Sequence, residues 1–329
     1  MSKRIMISGL GRVGRYLLKG IFGSSSSAEV VGLIDANAAK SGFLADLAYL
    51  IKYDTLHGRY AKYVSYDEDS STITIEGKTI GVYSDNSAIG SLNADIVVDC
   101  TGSATEETMI DYLNNGAGFA ISANYISNLP TVDCEVNGSA TIMPAPAAYA
   151  MDSGAGPAAK ILKVMNDSLG VTEAFIDVIR SSANGQNVYD GYDYSAWREG
   201  RSVFQNILPT ADSSGKYVGR IIPELNGKIM SQAHRVPSIC GDMVKVTASV
   251  SSEVSADELN ALLKNAGLAY NDEGITSVDA IEYPCLIDTT QTASSAATKK
   301  ILCVSAFYSV EAYLYRNIYD MIEYINSLD

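Results

Sequence analysis

Histidine is almost missing from these 329 residues, with only His57 and His234 present. Any chemistry that needs an imidazole base therefore has two candidates. Cysteine is also scarce: five residues, at 100, 134, 240, 285 and 303, odd in number, with no CxxC spacing and no Cys/His cluster. That pattern argues against a disulfide framework and a structural zinc site, and predicts a reducing, cytoplasmic setting. Positive charge is short as well. The 24 Lys and Arg against 38 Asp and Glu leave a formal charge of -14 without an evident basic cluster. A surface that neutralises nucleic-acid phosphates is not expected. No apolar run approaches the ~20 residues needed to cross a bilayer, and no signal peptide precedes the first strand, so no membrane partner is expected.

What is present fits a globular chain of about two domains, 47% hydrophobic and 19% charged. Its organising stretch is Lys3 to Arg15, KRIMISGLGRVGR. The apolar run Ile5-Met6-Ile7 reads as a strand and feeds into Gly9-x-Gly11-x-x-Gly14, after which Val13, Leu17 and Ile21 recur at helical spacing. In such a unit the first glycine allows the tight turn, the second admits a pyrophosphate to the backbone, and the third lets helix and strand pack closely. A second apolar strand, Val30 to Ile34, ends in Asp35, 24 residues beyond Gly11, where an adenosine ribose needs an acceptor. Strand, helix and acid together separate this from a glycine turn that binds nothing.

Alternation continues through the first half. A helix is predicted over Ser41 to Lys52, a polar meander turning at Glu76-Gly77-Lys78, and a buried strand Ala94 to Asp99 ending in Cys100-Thr101-Gly102. The expectation is an α/β fold with a Rossmann-type, doubly wound, mostly parallel sheet, whose ligands sit at the carboxyl ends of the strands.

These residues resemble the phosphorylating glyceraldehyde-3-phosphate dehydrogenase family. GLGRVGR is similar to its first turn, KYDTLHGRY (52–60) to its KYD(S/T)xHGR(F) signature, and Val97 to Gly102 to its VVxSTG strand end. Asp190-Gly191, Trp197-Arg198-x-Gly200-Arg201, Gln205 to Pro209, KYVGRIIPELNGK (216–228) and Ala233-His234-Arg235-Val236-Pro237 follow in family order. The resemblance implies NAD as cofactor, held by Gly9, Gly11, Arg12, Val13, Gly14, Asp35, Thr101 and Gly102. It also implies a dinucleotide-binding domain over 1–152, to which a C-terminal helix at 310–329 returns, and an α+β domain with a mixed sheet over 153–309. Residues Ala183 to Gln205 resemble the S-loop that packs against a neighbouring subunit, which implies a homotetramer.

The same comparison empties the catalytic positions. The family thiolate forms a hemithioacetal and then a thioester, yet no cysteine lies between Cys134 and Cys240. The nucleophile segment falls against residues 144–156, near Ser153. The family base, a histidine, falls on Arg180, and a guanidinium cannot act as a base. Family phosphate ligands correspond to Ala183, Gly185 and Ala211-Asp212-Ser213, and the asparagine that holds the nicotinamide to Val310. Arg180 and Arg235 remain as candidates to hold a small anionic ligand. Two readings follow: an NAD-binding protein without the phosphorylating activity, or an oxidoreductase acting on another small anionic substrate without a thioester.

Overall fold

The computed structural model describes residues 2–24, 28–138, 147–150, 154–194 and 196–328. The chain divides into two compact units, Met1–Met151 with Leu314–Asp329, and Asp152–Tyr313.

In the first unit β1 (Arg4–Ser8), α1 (Arg12–Gly23) and β2 (Glu29–Ile34) follow the predicted strand, turn, helix, strand order. Next come α2 (Phe43–Lys52), the small ribbon of β3 (Tyr53–Asp54) and β4 (Gly58–Arg59), and the meander β5 (Val64–Asp67), β6 (Thr72–Ile75) and β7 (Lys78–Tyr83). The meander turns at Glu76 and Gly77, which have φ of 51° and 81°. That pair of left-handed residues suits a tight hairpin. The half-unit closes with α3 (Ala88–Ser91), β8 (Ile96–Asp99), α4 (Glu106–Asn114), β9 (Phe119–Ser122), β10 (Thr131–Val132) and β11 (Ala147–Ala150).

The strands order as β10-β11-β9-β8-β1-β2-β7-β6-β5. All pairs from β10 to β7 are parallel, and only the meander is antiparallel. Because helices cover both faces of such a sheet, its central strands are mostly apolar and buried throughout: every residue of β8 and β9 is buried, with Asp99 and Ser122 the polar residues at their ends. One face packs Met6, Val97 and Ala120 against Met109 and Tyr112 of α4. The part of the C-terminal helix that belongs to this unit is tied in by Asn317, whose Nδ2 donates to the Val132 carbonyl at 2.7 Å and whose Oδ1 accepts from the Cys134 amide at 3.1 Å.

The second unit contains α5 (Ala155–Leu169), β12 (Val171–Arg180), β13 (Leu208–Thr210), α6 (Ser214–Ile221), β14 (Ile229–Arg235), β15 (Asp242–Val250), α7 (Ala256–Asn265), β16 (Tyr270–Asn271), β17 (Leu286–Ser294) and β18 (Ile301–Tyr308). A last helix, α8 (Val310–Asn326), begins here and continues into the first unit. Its strands order as β13-β14-β12-β15-β18-β17-β16, a mixed sheet in which β12 runs parallel to β14 and antiparallel to β15. Period-two burial runs along β12 and β15: Ala174, Ile176 and Val178, and Val244, Val246 and Ala248, are buried beneath α5, while the alternate residues are less so. Predicted element limits differ from these by one to three residues at most ends, as fraying termini do.

Candidate functional site: a dinucleotide corner and an arginine cluster

The first site forms where β1, β2 and β8 end side by side. Gly9 sits at φ 85°, and a Cβ there would stand 2.6 Å from the Thr101 amide nitrogen. A Cβ on Gly14 would run into the Gly9 carbonyl oxygen. Both positions require glycine because backbone passes over backbone. Gly11, the N-cap of α1, differs: a Cβ there would meet nothing within 4 Å. Open space lies where the turn faces the helix mouth. The first turn of α1 carries no acidic residue, and the N-cap makes no side-chain bond to the helix amides. Its positive dipole end therefore suits a pyrophosphate, flanked by half-buried Arg12 and Val13.

Asp35 closes the other side of the corner. Its Oδ2 accepts from the Leu10 amide at 3.0 Å, and its Oδ1 from the amide and Nδ2 of Asn37 at 2.9 and 3.0 Å. Beneath the third strand end lies Asp99, fully buried. Its Oδ1 accepts from both the amide and the hydroxyl of Thr101, at 2.9 and 2.7 Å, which fixes the turn into Gly102 at φ 77°. Its Oδ2 accepts from Tyr112 Oη at 2.6 Å, and that phenol also stands 2.9 Å from Ser8 Oγ. Burial, with Asp99 adding to it, pushes the Tyr112 phenol up, so it stays a donor. Tyr112 and Asp99 were not among the expected site residues. The signal was a carboxylate ending an otherwise apolar strand.

Cys100 follows Asp99 and is buried. Burial and the Asp99 carboxylate push its thiol well above the usual range, so it is a protonated packing group rather than a nucleophile.

The second site lies in the second unit. Arg180 ends β12, and its register partner on β14 is Arg235. Arg180 Nη2 donates to Asp212 Oδ1 at 2.8 Å, with the Asp212 side chain only 1% exposed. The amide and hydroxyl of Ser214 also donate to that carboxylate, each at 2.9 Å. Arg235 Nη1 donates to the Ser181 carbonyl, and the amide and hydroxyl of Ser181 donate to Asp242 Oδ1 at 2.8 and 2.7 Å. Burial pushes the Asp242 carboxyl up, opposed by the Ser181 bonds and by the charges of Arg180 and Arg235. Two guanidiniums thus meet two carboxylates. Asp212, which stands at a family phosphate-ligand position by the resemblance, is the ion-pair partner of Arg180.

Other expected positions fall elsewhere. Ser153, with residues 144–146, 151 and 152, lies outside the described residues. Val310 is the first residue of α8. His234 Nδ1 lies 3.1 Å from Asp177 Oδ1, and the His57 ring packs against Tyr16 in the first unit, centroids 4.5 Å apart and tilted by 58°. Among the described residues no group of His, Cys, Asp and Glu is arranged to hold a metal ion.

Residues 3–107 match the model of the glyceraldehyde 3-phosphate dehydrogenase NAD binding domain, and residues 156–309 that of the C-terminal domain. The chain is 30% identical over 290 residues to glyceraldehyde-3-phosphate dehydrogenase 2 of Saccharomyces cerevisiae, covering 84% of this chain and 85% of that one. It belongs to the glyceraldehyde-3-phosphate dehydrogenase family. Glyceraldehyde-3-phosphate dehydrogenase 3 of the same yeast is 29% identical over 338 residues, 98% of each chain, and the Schizophyllum commune enzyme 28% over 349 residues, 100% of this chain and 99% of that one. NAD is the cofactor of the matched first domain, and the glycine corner fits it: two closed glycines, one open one, an uncapped helix mouth and a carboxylate at the ribose position. When bound, NAD supplies a hydride acceptor. The residues of this corner bind and orient its adenosine and pyrophosphate.

Proposed function

We propose that this protein is an NAD-binding member of the family that does not carry out the phosphorylating oxidation of glyceraldehyde 3-phosphate, and that it works by binding, sensing or scaffolding. The observation that carries this reading is Arg180. At the end of β12, where the resemblance puts the catalytic base, stands a guanidinium paired with a buried carboxylate. General-base help typically contributes ~10²- to 10⁴-fold, and a permanently charged guanidinium cannot supply it. The absence of any cysteine between Cys134 and Cys240 supports the same reading. Val310 in place of an asparagine removes the side-chain partner of the nicotinamide amide. The test is NADH formation from glyceraldehyde 3-phosphate and phosphate, with and without iodoacetamide. We expect no turnover above background; robust turnover abolished by alkylation would reject the reading.

One observation favours a second reading, an oxidoreductase for another small anionic substrate. Arg180 and Arg235 are register partners at the ends of adjacent strands, beside one another. An anion that displaces Asp212 would meet both. A panel of small carboxylated and phosphorylated alcohols and aldehydes, read by NADH absorbance, separates the two readings.

Assembly as a homo-oligomer, a tetramer by resemblance, belongs to the same proposal. The segment around Trp197 is held in shape by Asp190, which accepts from Arg201 Nε and the Ser202 amide, each at 2.9 Å, and by the Gly191 amide donating to Gly200. This ordered loop holds Tyr192, Tyr194 and Trp197 more than 90% exposed in the single chain. Exposed aromatics gathered within a few residues suit a protein interface. Light scattering is expected to give a mass well above the 35.0 kDa of one chain. We assign the protein to the cytoplasm, in keeping with five cysteines that form no disulfide.

A further inference from the structure

The Asp35 carboxylate is more heavily engaged than its role at the ribose requires. An ionised carboxylate offers about four lone-pair directions. Three are taken by Leu10 and Asn37. A ribose diol offers two hydroxyls, so it can be accepted fully only if the Asn37 amide group swings off Oδ1. That amide is itself held from its other end: Lys40 Nζ donates to Asn37 Oδ1 at 2.7 Å. Two consecutive turns, with Ala38 N on the Asp35 carbonyl at 2.8 Å and Lys40 N on the Asn37 carbonyl at 2.9 Å, fold the lysine back over the asparagine. Lys40 is exposed, and among the described residues it has no carboxylate at ion-pair distance. A cation therefore stands one hydrogen-bonded residue away from the specificity acid. No Lys or Arg stands among residues 36–39, and the first cation after Asp35 is Lys40.

We propose that Asn37 and Lys40 form a latent subsite for an adenosine 2′-phosphate, so that Asp35 alone stands between this protein and phosphorylated dinucleotides. The inference rests on the assignment of the glycine corner as the adenine-dinucleotide site. A phosphate on the 2′ oxygen meets repulsion from Asp35 and attraction from Lys40, and it can accept from the Asn37 amide once Asp35 no longer holds it. In the unsubstituted protein the carboxylate, being nearer, wins, and the preference is for NAD. With the acid removed, the lysine and the Asn37 donors are left facing the phosphate.

The experiment is calorimetric titration with 5′-AMP and 2′,5′-ADP, fragments without the nicotinamide half, on four proteins: unsubstituted, Asp35→Ser, Lys40→Gln and the double variant. The unsubstituted protein should bind 5′-AMP more tightly than 2′,5′-ADP. Asp35→Ser should reverse that order. Adding Lys40→Gln to Asp35→Ser should weaken 2′,5′-ADP by about 5-fold, the upper range for one exposed charge contact, and leave 5′-AMP unchanged. Equal effects of Lys40→Gln on both ligands, or none on either, would overturn the subsite while leaving the cofactor corner intact. Failure of the unsubstituted protein to bind 5′-AMP or NAD at all would overturn the corner and the subsite together. Raising the salt concentration should shrink the Lys40 effect and spare the 5′-AMP affinity.

Discussion

The glycine corner of the first unit and the arginine cluster of the second are both built at strand ends, and they treat charge in opposite ways. In the corner the first turn of α1 holds no acid, its cap makes no side-chain bond, and a Cβ on Gly11 would enter open space. In the cluster each charge has an answer within the chain: Asp212 for Arg180, and Ser181 linking Arg235 to Asp242. A site that leaves favourable interactions unmade is poised to make them with a ligand. A site that has already made them holds structure first, and any ligand must compete.

The sharpest way to break this comparison is Gly14→Ala. The added methyl meets backbone rather than a mobile side chain, so α1 has to shift off β1. We expect loss of measurable NAD binding by calorimetry and destabilisation of about 3 kcal/mol or more in urea unfolding. An unchanged affinity would mean that the corner is not the cofactor site.

The next largest effect tests the cluster. Arg180→Ala leaves Asp212 buried with, among the described residues, Ser214 alone to satisfy it, which should cost roughly 2 to 3 kcal/mol, less than for a pair with both charges fully buried. The double variant with Asp212→Ala should recover most of that loss, because the stranded charge goes as well. If both single variants were neutral, the pair would not be the structural element described, and an anion site at Arg180 would gain ground.

Two carboxylates sharpen the contrast through pH, with opposite signs. Burial pushes the Asp54 carboxyl up, but the amides of His57 and Leu56 and the Lys19 ammonium at 3.5 Å outweigh it and hold it below its usual range. Its stabilising contribution is therefore present above about pH 3.9 and is lost as pH falls through the folded value. Asp242 is raised, so the folded chain holds its proton more tightly than the unfolded one. Stability falls as pH rises from about 3.9 through the folded value, and the cost stays above it. Urea midpoints followed across pH should show Asp54→Asn flattening the acid side and Asp242→Asn flattening the window above it, each by about 1 kcal/mol or less. Slopes that changed in the same direction would contradict one of the two environments.

Local signals carried the first unit in sequence. Gly9, Gly11 and Gly14 sit at fixed offsets between an apolar run and a 3.6-residue period, and Asp35 follows a strand whose end is marked by its own charge, so neighbours along the chain suffice to read them. The arginine cluster could be placed only residue by residue against a family pattern, and nothing local marks its pairing. Arg180 and Asp212 are 32 residues apart, and only the parallel β12/β14 pairing, with β13 beside it, brings their loops together. The bond from Tyr112 to Asp99 was hidden for a related reason: a tyrosine at a core position of α4 looks like packing until the strand opposite it is known to end in a carboxylate. Lys40 is not legible as a neighbour of Asp35, because the two tight turns that fold it back leave no periodic trace in the sequence.

Asn317 also bears on the order in which the chain acquires its structure during synthesis. Its bonds to Val132 and Cys134 span 185 and 183 residues, and the stretch between includes the whole second unit. A ribosome that has released residues 1–151 has delivered the glycine corner and its sheet without the helix that satisfies the edge at β10. At ~5 to 20 residues per second, completing the rest takes roughly ten seconds or more. For that interval the first unit waits with buried-to-be backbone groups and apolar surface exposed, so the nascent chain is most open to chaperones and to misassembly after its amino-terminal half has already been made.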